Sequence, residues 1–422
     1  MQIEGLTFDL HESIMSSMIP RTLDGTLRRA LRTFPVAVVT GPRQSGKTTL
    51  LRHGWAATHR YLSMENPDTR ARALADPVGF LRDNPPPAIL DEIQYAPELL
   101  PYIKAAVDAD RAPGRWILTG SQSFALMQNV TESLAGRAAV LSLLPLAAEE
   151  ITGSDRACPR PDDLLMRLQA ADDGTKPPTT PADWLLRGTY PEMRSNPEVD
   201  RELWYASYYQ TYLERDVRQV LNVGSLSAFD RFVRLAAARN AQMLNVTDLG
   251  RDAGVAAPTA RSWLSVLEAA GVIYLLPPFH ANFGKRLVKS PKLFFLDPGL
   301  VTFLLGLHSP EPLLRGPFIG PLMESAVVSE WVKLFRHRGL PPPLSFWRSH
   351  DGLEVDLLVE WNGMVHPMEI KATSTVTPSH AAALQKWRAL AGQPDVPGTL
   401  VATCDAPCAV APGVRAVPWW WV

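Results

Sequence analysis

The 422-residue chain reads as an α/β protein: an N-terminal parallel sheet with helices on both faces, a helical middle, and a mixed C-terminal region. Three observations predict this. Short uncharged runs, "PVAVVT" (35–40), "PAILD" (87–91) and "WILTG" (116–120), each end in polar residues, and helical stretches such as "ELLPYIKAAVDAD" separate them. Strands alternating with helices form a parallel sheet, and strands buried on both faces read as continuous apolar runs. A stretch rich in Pro, Asp, Gly and Thr breaks the pattern over 153–182, and the texture from 184 to 280 is helical. From about 281 come a helix (320–338), several strands, a helix (380–391) and a final strand. The expected boundaries are 1–155, a linker or insert at 156–182, then 183–280 and 281–422.

Composition limits the function classes. With 46% hydrophobic and 20% charged residues, the chain resembles an ordinary globular protein. A formal net charge of −1 excludes a globally basic nucleic-acid binder, though not a local basic patch. Cys158, Cys404 and Cys408 are too few for a disulfide framework and lack the partners of a zinc site. The first twenty residues carry Glu4, Asp9, His11 and Glu12, so no secretory segment is expected. No apolar run reaches the roughly 18 residues of a membrane span. The expected location is the cytoplasm, with no membrane partner.

Residues 41–48, G-P-R-Q-S-G-K-T, satisfy the phosphate-loop pattern between a strand and a helix. Gly41 and Gly46 permit a tight loop, Lys47 reaches the β- and γ-phosphates, and the Thr48 hydroxyl suits Mg²⁺. Gly41, Pro42, Arg43, Gln44, Ser45, Gly46, Lys47, Thr48 and Thr49 are the candidate ATP contacts. Asp91 and Glu92 end an apolar strand about forty residues on. Adjacent carboxylates repel unless a cation lies nearby. In this context Asp91 is assigned to the metal and Glu92 to water activation. The next strand ends "LTGSQS", where Thr119 and Ser121 could orient the attacking water. Arg137, in "SLAGR", could reach a γ-phosphate in its own chain or a neighbour's; a structural salt bridge is the alternative.

"GPRQSGKTTLL", "ILDEIQYAPELL", "LTGSQS", "SLAGRAAVLSLLPLAAEEI", "GTYPEM" and "KLFFLDPGL" together resemble the bacterial and archaeal AAA+-type P-loop ATPases with a C-terminal domain of unknown function. The likeness runs from about residue 19 to 422, with a looser insert at 153–182. It implies ATP binding at the phosphate loop, Mg²⁺-dependent hydrolysis through Asp91 and Glu92, and a P-loop sheet followed by a winged helix and a restriction-endonuclease-like fold.

The residues themselves support the later parts. In 245–276, a Thr247 cap, a Gly254 turn, Pro258 opening a second helix and Gly271 closing it before a strand give a winged helix-turn-helix pattern. Ala260, Leu264, Leu267 and Ala270 share one helical face, and Thr259, Arg261 and Ser262 lie elsewhere. From 248 to 292, Arg251, Arg261, Lys285, Arg286, Lys289 and Lys292 outnumber Asp248, Asp252 and Glu268. DNA is therefore one candidate partner, and a protein is the other. In 347–373, two strands joined around Asn362–Gly363 carry Asp356 on one and Glu369 with Lys371 on the next, and Glu324 lies on a preceding helix. Two carboxylates for a divalent metal with a lysine at the phosphate is the nuclease arrangement; a salt-bridged strand pair is the bland alternative. The tail "VPWWWV" is expected to be a closing strand.

Three functions stay open: an ATPase coupled through the winged helix to DNA or a protein, an ATP-regulated DNA nuclease, and a low-turnover protein-binding switch. A homo-oligomer is compatible with each.

Overall fold

The structure, a computed structural model, describes residues 19–120, 133–153, 160–170, 177, 179–213, 225–279, 290–349 and 352–422. Its N-terminal body is a five-stranded sheet ordered β2-β3-β4-β1-β5. The strands are β1 (Val36–Thr40), β2 (Arg60–Ser63), β3 (Ala88–Asp91), β4 (Trp116–Thr119) and β5 (Ala138–Ser142). Every ladder is parallel. Alternate side chains feed two cores. Val36, Val38, Ala88, Leu90, Trp116 and Leu118 face one, and Ala37, Val39, Ile89 and Ile117 the other. Both faces of β1, β3 and β4 are covered, which is why these three carry no charge before Asp91. Helices α1 (Thr22–Ala30) and α2 (Lys47–Trp55) pack Leu23, Leu27, Leu50 and Leu51 on the second face. Helix α3 (Leu99–Ala109) buries Leu99, Ile103 and Val107, spaced by four, on the first.

The middle region opens with α4 (Ala148–Thr152). Within the segment expected as a linker or insert lies a helix at Pro161–Arg167, with Leu164 and Leu168 buried. Proline at its start and Asp162 and Asp163 in its first turn are the helix signals that a loop-like composition masked. Helices α5 (Pro191–Ser195), α6 (Arg201–Tyr208), α7 (Leu226–Ala238), α8 (Val246–Ala253) and α9 (Ala257–Ala269) follow. Strands β6 (Ile273–Leu276) and β7 (Lys292–Phe295) then pair antiparallel. Gly254 and Gly271 are left-handed, as the turns they make require. The cap of α8 is Asn245, not the expected Thr247. Its side chain accepts from the Thr247 and Asp248 amides, so Thr247 lies inside the first turn. Trp263 of α9 packs edge-on against Phe229 and Phe232 of α7.

Asp297 explains two of the motifs. As the cap of α10 (Pro298–Leu304), it accepts from Leu300 N at 2.8 Å. It also accepts from Thr189 N at 2.6 Å, Thr189 Oγ1 at 3.0 Å and the Tyr205 hydroxyl at 2.8 Å. "GTYPEM" and "KLFFLDPGL" therefore meet at one buried carboxylate. A Cβ on Gly188 or Gly299 would fall 2.2 or 2.1 Å from the Tyr205 hydroxyl, so neither position admits a side chain.

The C-terminal region places α11 (Ile319–Arg336) and α12 (Ala382–Leu390) against a mixed sheet ordered β12-β13-β11-β10-β9-β8. Its strands are β8 (Leu344–Arg348), β9 (Glu354–Trp361), β10 (Met364–Lys371), β11 (Gly398–Ala402), β12 (Cys408–Ala411) and β13 (Val414–Pro418). The β9–β10 turn lies at Asn362 and Gly363, both at positive φ. Trp419–Trp421 form a 3₁₀ turn rather than the expected strand. The β11–β13 ladder ends at Ala402 and Pro418, and Trp419 turns in to pack 5.7 Å from Trp184. One core runs from Leu144 through the helices, α11 and this sheet to Val422. No described helix is long and apolar enough to cross a membrane.

Candidate nucleotide cleft and C-terminal acid cluster

The chain leaves β1 into a loop whose shape its glycines dictate. A Cβ on Gly41 would lie 2.1 Å from the Leu143 carbonyl oxygen, and Gly46 is left-handed at φ 94°. Lys47 opens α2, and its Nζ donates to the Gly41 and Pro42 carbonyls at 3.0 and 2.9 Å. Ser45 Oγ is buried with no hydrogen-bond partner among the described residues. Arg43, Gln44, Thr48 and Thr49 line the same cleft of about 550 Å³, together with Glu65 and Glu92. Pro191, Glu192 and Ser195 of α5 form part of its wall, so the "GTYPEM" segment reaches the cleft from outside the sheet domain.

Asp91 and Glu92 part company at the end of β3. Asp91 is 2% exposed, and its Oδ2 accepts from Thr48 Oγ1 at 3.0 Å and Tyr61 OH at 2.5 Å. Burial, and then the bond to Asp91, push the Tyr61 hydroxyl up to about 12, so it stays a donor. Glu92 adopts a left-handed backbone, φ 57°, and its Oε2 accepts from Gln94. Thr119, at the end of the intervening β4, donates to Asp91 Oδ1 and accepts from Glu92 N at 3.0 Å. It braces the two acids instead of standing free to orient water. Ser121 lies outside the described residues. Arg137 is not brought to the loop. It precedes β5 at the opposite end of the sheet, its carbonyl accepts from Val36 N, and its guanidinium pairs with Asp108 at 2.6 Å. This corrects the expectation of contact with a phosphate in its own chain: five residues of β1 separate Arg137 from the loop.

The sequence reading missed the group behind the loop. Arg21, just before α1, donates to the Ser45 carbonyl at 2.5 Å and the Leu144 carbonyl at 2.7 Å, and pairs with Glu150 at 3.1 Å. His337, following α11, lies 3.5 Å from Glu150 and accepts from Leu144 N through Nε2. Both Glu150 and His337 are buried. Burial alone would raise the Glu150 carboxyl; Arg21, His337 and the Ala147 and Thr22 amides outweigh it and hold it at about 2. Burial lowers His337 to about 3 despite Glu150. Removing one member of a buried pair costs about 3–5 kcal/mol. Arg21→Ala is expected to lose stability in that range in denaturant unfolding.

The acid side of the stability profile follows. A group depressed in the fold stabilises above its unfolded pKa and loses that contribution as pH falls toward its folded pKa. For His337 that window runs from 6.5 down to about 3, and for Glu150 from 4.5 down to about 2. Between pH 6.5 and 4.5 only His337 of the two acts, at up to about 1.4 kcal/mol per pH unit. His337→Gln, which can still accept from Leu144 N, is expected to flatten that part of the curve. An unchanged slope would remove His337 as its cause.

The C-terminal acids do converge. Lys371 lies 2.5 Å from Glu369 Oε1 and 3.7 Å from Asp356 Oδ2, and Asp356 Oδ2 also accepts from Ile370 N at 2.9 Å. Glu324 of α11 joins them through Lys292, 3.4 Å away, a residue counted in the sequence among the positives of 248–292. Burial, and then Asp356, push Glu324 and Glu369 above the ordinary carboxylate range. Burial would lower the two ammonium groups. Glu324 and Asp356 chiefly overcome it at Lys292, and Asp356 and Glu369 at Lys371, so both are held above the ordinary lysine range. The expected basic surface shrinks accordingly: Lys292 is buried, and Arg251 pairs with Asp248 and Asp252. Lys285, Arg286 and Lys289 lie outside the described residues; Thr259, Arg261 and Ser262 are exposed on α9.

Residues 33–152 match the family described as an AAA domain. Residues 179–311 and 319–422 match two domains of unknown function, DUF8612 and DUF4143. Uncharacterized proteins of Mycobacterium tuberculosis and Mycobacterium bovis are each 35% identical over 350 residues, covering 83% of this chain and 73% of the relative. Among solved structures, a Walker-type ATPase of Pyrococcus abyssi matches with 16% identity and a TM-score of 0.44, over 68% of this chain and 96% of that one.

Proposed function

The chain belongs to the family of AAA-domain P-loop ATPases with a C-terminal DUF4143 domain, and from that premise we propose that it binds and hydrolyses ATP with Mg²⁺ and couples the cycle to its middle module. The observation that carries this reading is the convergence of Lys47, Thr48 and Glu92 on one cleft, with Asp91 bonded to Thr48 behind them. Lys47 binds the phosphate chain. Thr48 Oγ1 and Asp91 are oxygen donors of the kind Mg²⁺ takes. Held there, Mg²⁺ would supply neutralisation of the charge on the phosphate chain. Glu92 accepts the proton of the attacking water, and Thr119 and Gln94 fix its backbone and carboxylate.

Two contacts support coupling. α5 walls the cleft from the middle module. α11, an 18-residue helix about 27 Å long, carries Glu324 near its start and Lys333 near its end, with His337 just beyond. Lys333 bonds the Leu146 carbonyl at 3.0 Å and Arg338 pairs with Glu149 at 3.0 Å, so the helix is tied to the segment that also anchors Arg21.

We read α7–α9 with the β6–β7 hairpin as a winged helix, and the exposed Thr259, Arg261 and Ser262 as its partner face. The test is the Mg²⁺-ATPase rate with and without duplex DNA, alongside DNA cleavage with Mg²⁺ or Mn²⁺. DNA-stimulated turnover assigns the partner as DNA. Unstimulated turnover assigns a protein, and cleavage lost in Asp356→Ala assigns the nuclease. No turnover under any condition overturns the reading.

A further inference from the structure

The acid cluster of the C-terminal sheet is filled by a residue from outside that sheet. Lys292 begins β7 of the two-stranded hairpin, its backbone paired with Leu276, yet its side chain is 4% exposed. Its Nζ pairs with Glu354, lies 3.4 Å from Glu324 Oε2 and 3.9 Å from Asp356 Oδ1. Those carboxylates come from α11 and β9, so one ammonium joins the hairpin, the helix and the C-terminal sheet. A buried ammonium carries three donors and no acceptor, and an enclosure of carboxylates is what it needs. The same all-oxygen set is what a hard divalent cation takes. Glu369 Oε2, in the same cluster and on a side chain 8% exposed, has no hydrogen-bond partner among the described residues. Among the described residues, no group of three His, Cys, Asp or Glu side chains is disposed to hold a metal. The oxygens are spread around a lysine instead of closing to the roughly 2.0–2.6 Å of a Mg²⁺ or Ca²⁺ shell.

We infer that Lys292 Nζ stands in for a divalent cation, so that the hairpin of the middle module keys into the C-terminal cluster and keeps metal out of it. The inference is independent of the ATP assignment. It sets the nuclease-like arrangement of Asp356, Glu369 and Lys371 in a different light: the acids are present, and their cation is covalently part of the chain.

The test is Mn²⁺ binding to the full-length, nucleotide-free protein, followed by the loss of the free-ion electron paramagnetic resonance signal. Wild type and Asp356→Asn are expected to bind Mn²⁺ alike. Lys292→Met, of similar length and uncharged, is expected to gain about one equivalent of site at least tenfold tighter than any in wild type. That site should vanish in Lys292→Met/Asp356→Asn. A wild-type site that Asp356→Asn removes overturns the inference without recourse to the lysine variant, which matters if Lys292→Met does not fold. A folded Lys292→Met that gains no site also overturns it.

Discussion

Lys47→Ala is expected to lower Mg²⁺-dependent ATP turnover about 100- to 1,000-fold, the effect of removing one preorganised electrostatic contact to a reacting group. Lys47 is 5% exposed and its Nζ sits among loop carbonyls, so the ammonium is positioned before any phosphate arrives. Its charge-assisted bonds hold in both ground and transition states, and nucleotide affinity should fall with turnover. The variant keeps Gly41 and Gly46 but loses the bonds from Lys47 to the Gly41 and Pro42 carbonyls, so a modest drop in thermal stability should accompany the loss of turnover. Wild-type turnover in a folded Lys47→Ala would remove the lysine from the phosphate site.

Glu92→Gln should separate binding from chemistry. The amide keeps the size of the side chain but cannot take a proton, and general-base catalysis contributes about 100- to 10,000-fold. ATP affinity measured with a fluorescent analogue should stay near wild type while phosphate release falls in that range. Asp91 does not substitute, because its two oxygens are already committed to Thr48, Tyr61 and Thr119. Unchanged turnover would place water activation elsewhere.

Local signals made the first site legible. The phosphate loop is eight contiguous residues, and Asp91 and Glu92 end a strand whose burial the sequence displays directly. The divergence of the two acids was legible only as a question. Its answer, a left-handed Glu92 braced by Thr119 on the next strand, needs the register of β3 beside β4. Arg21, Glu150 and His337 were not legible, since they are 129 or more residues apart in pairs and each looks unremarkable in its own window. Lys292 was misread for the same reason. By sequence neighbourhood it belongs to a basic hairpin, while its ammonium is claimed by acids 32 to 64 residues on. Arg137 had a motif-like setting, yet strand direction puts it at the wrong end of the sheet. The helix at Pro161–Arg167 shows a further limit: composition reads a segment as linker even where leucines spaced for burial lie inside it.

The cleft walled by α5 is proposed to be a Mg²⁺-dependent ATPase site. Single-turnover release of labelled phosphate from ATP by the full-length chain, compared in Mg²⁺ and in EDTA, tests it most directly. Release with Mg²⁺ that EDTA abolishes and that Asp91→Asn slows is expected. Release that persists in EDTA, or that is indifferent to Asp91, would contradict it.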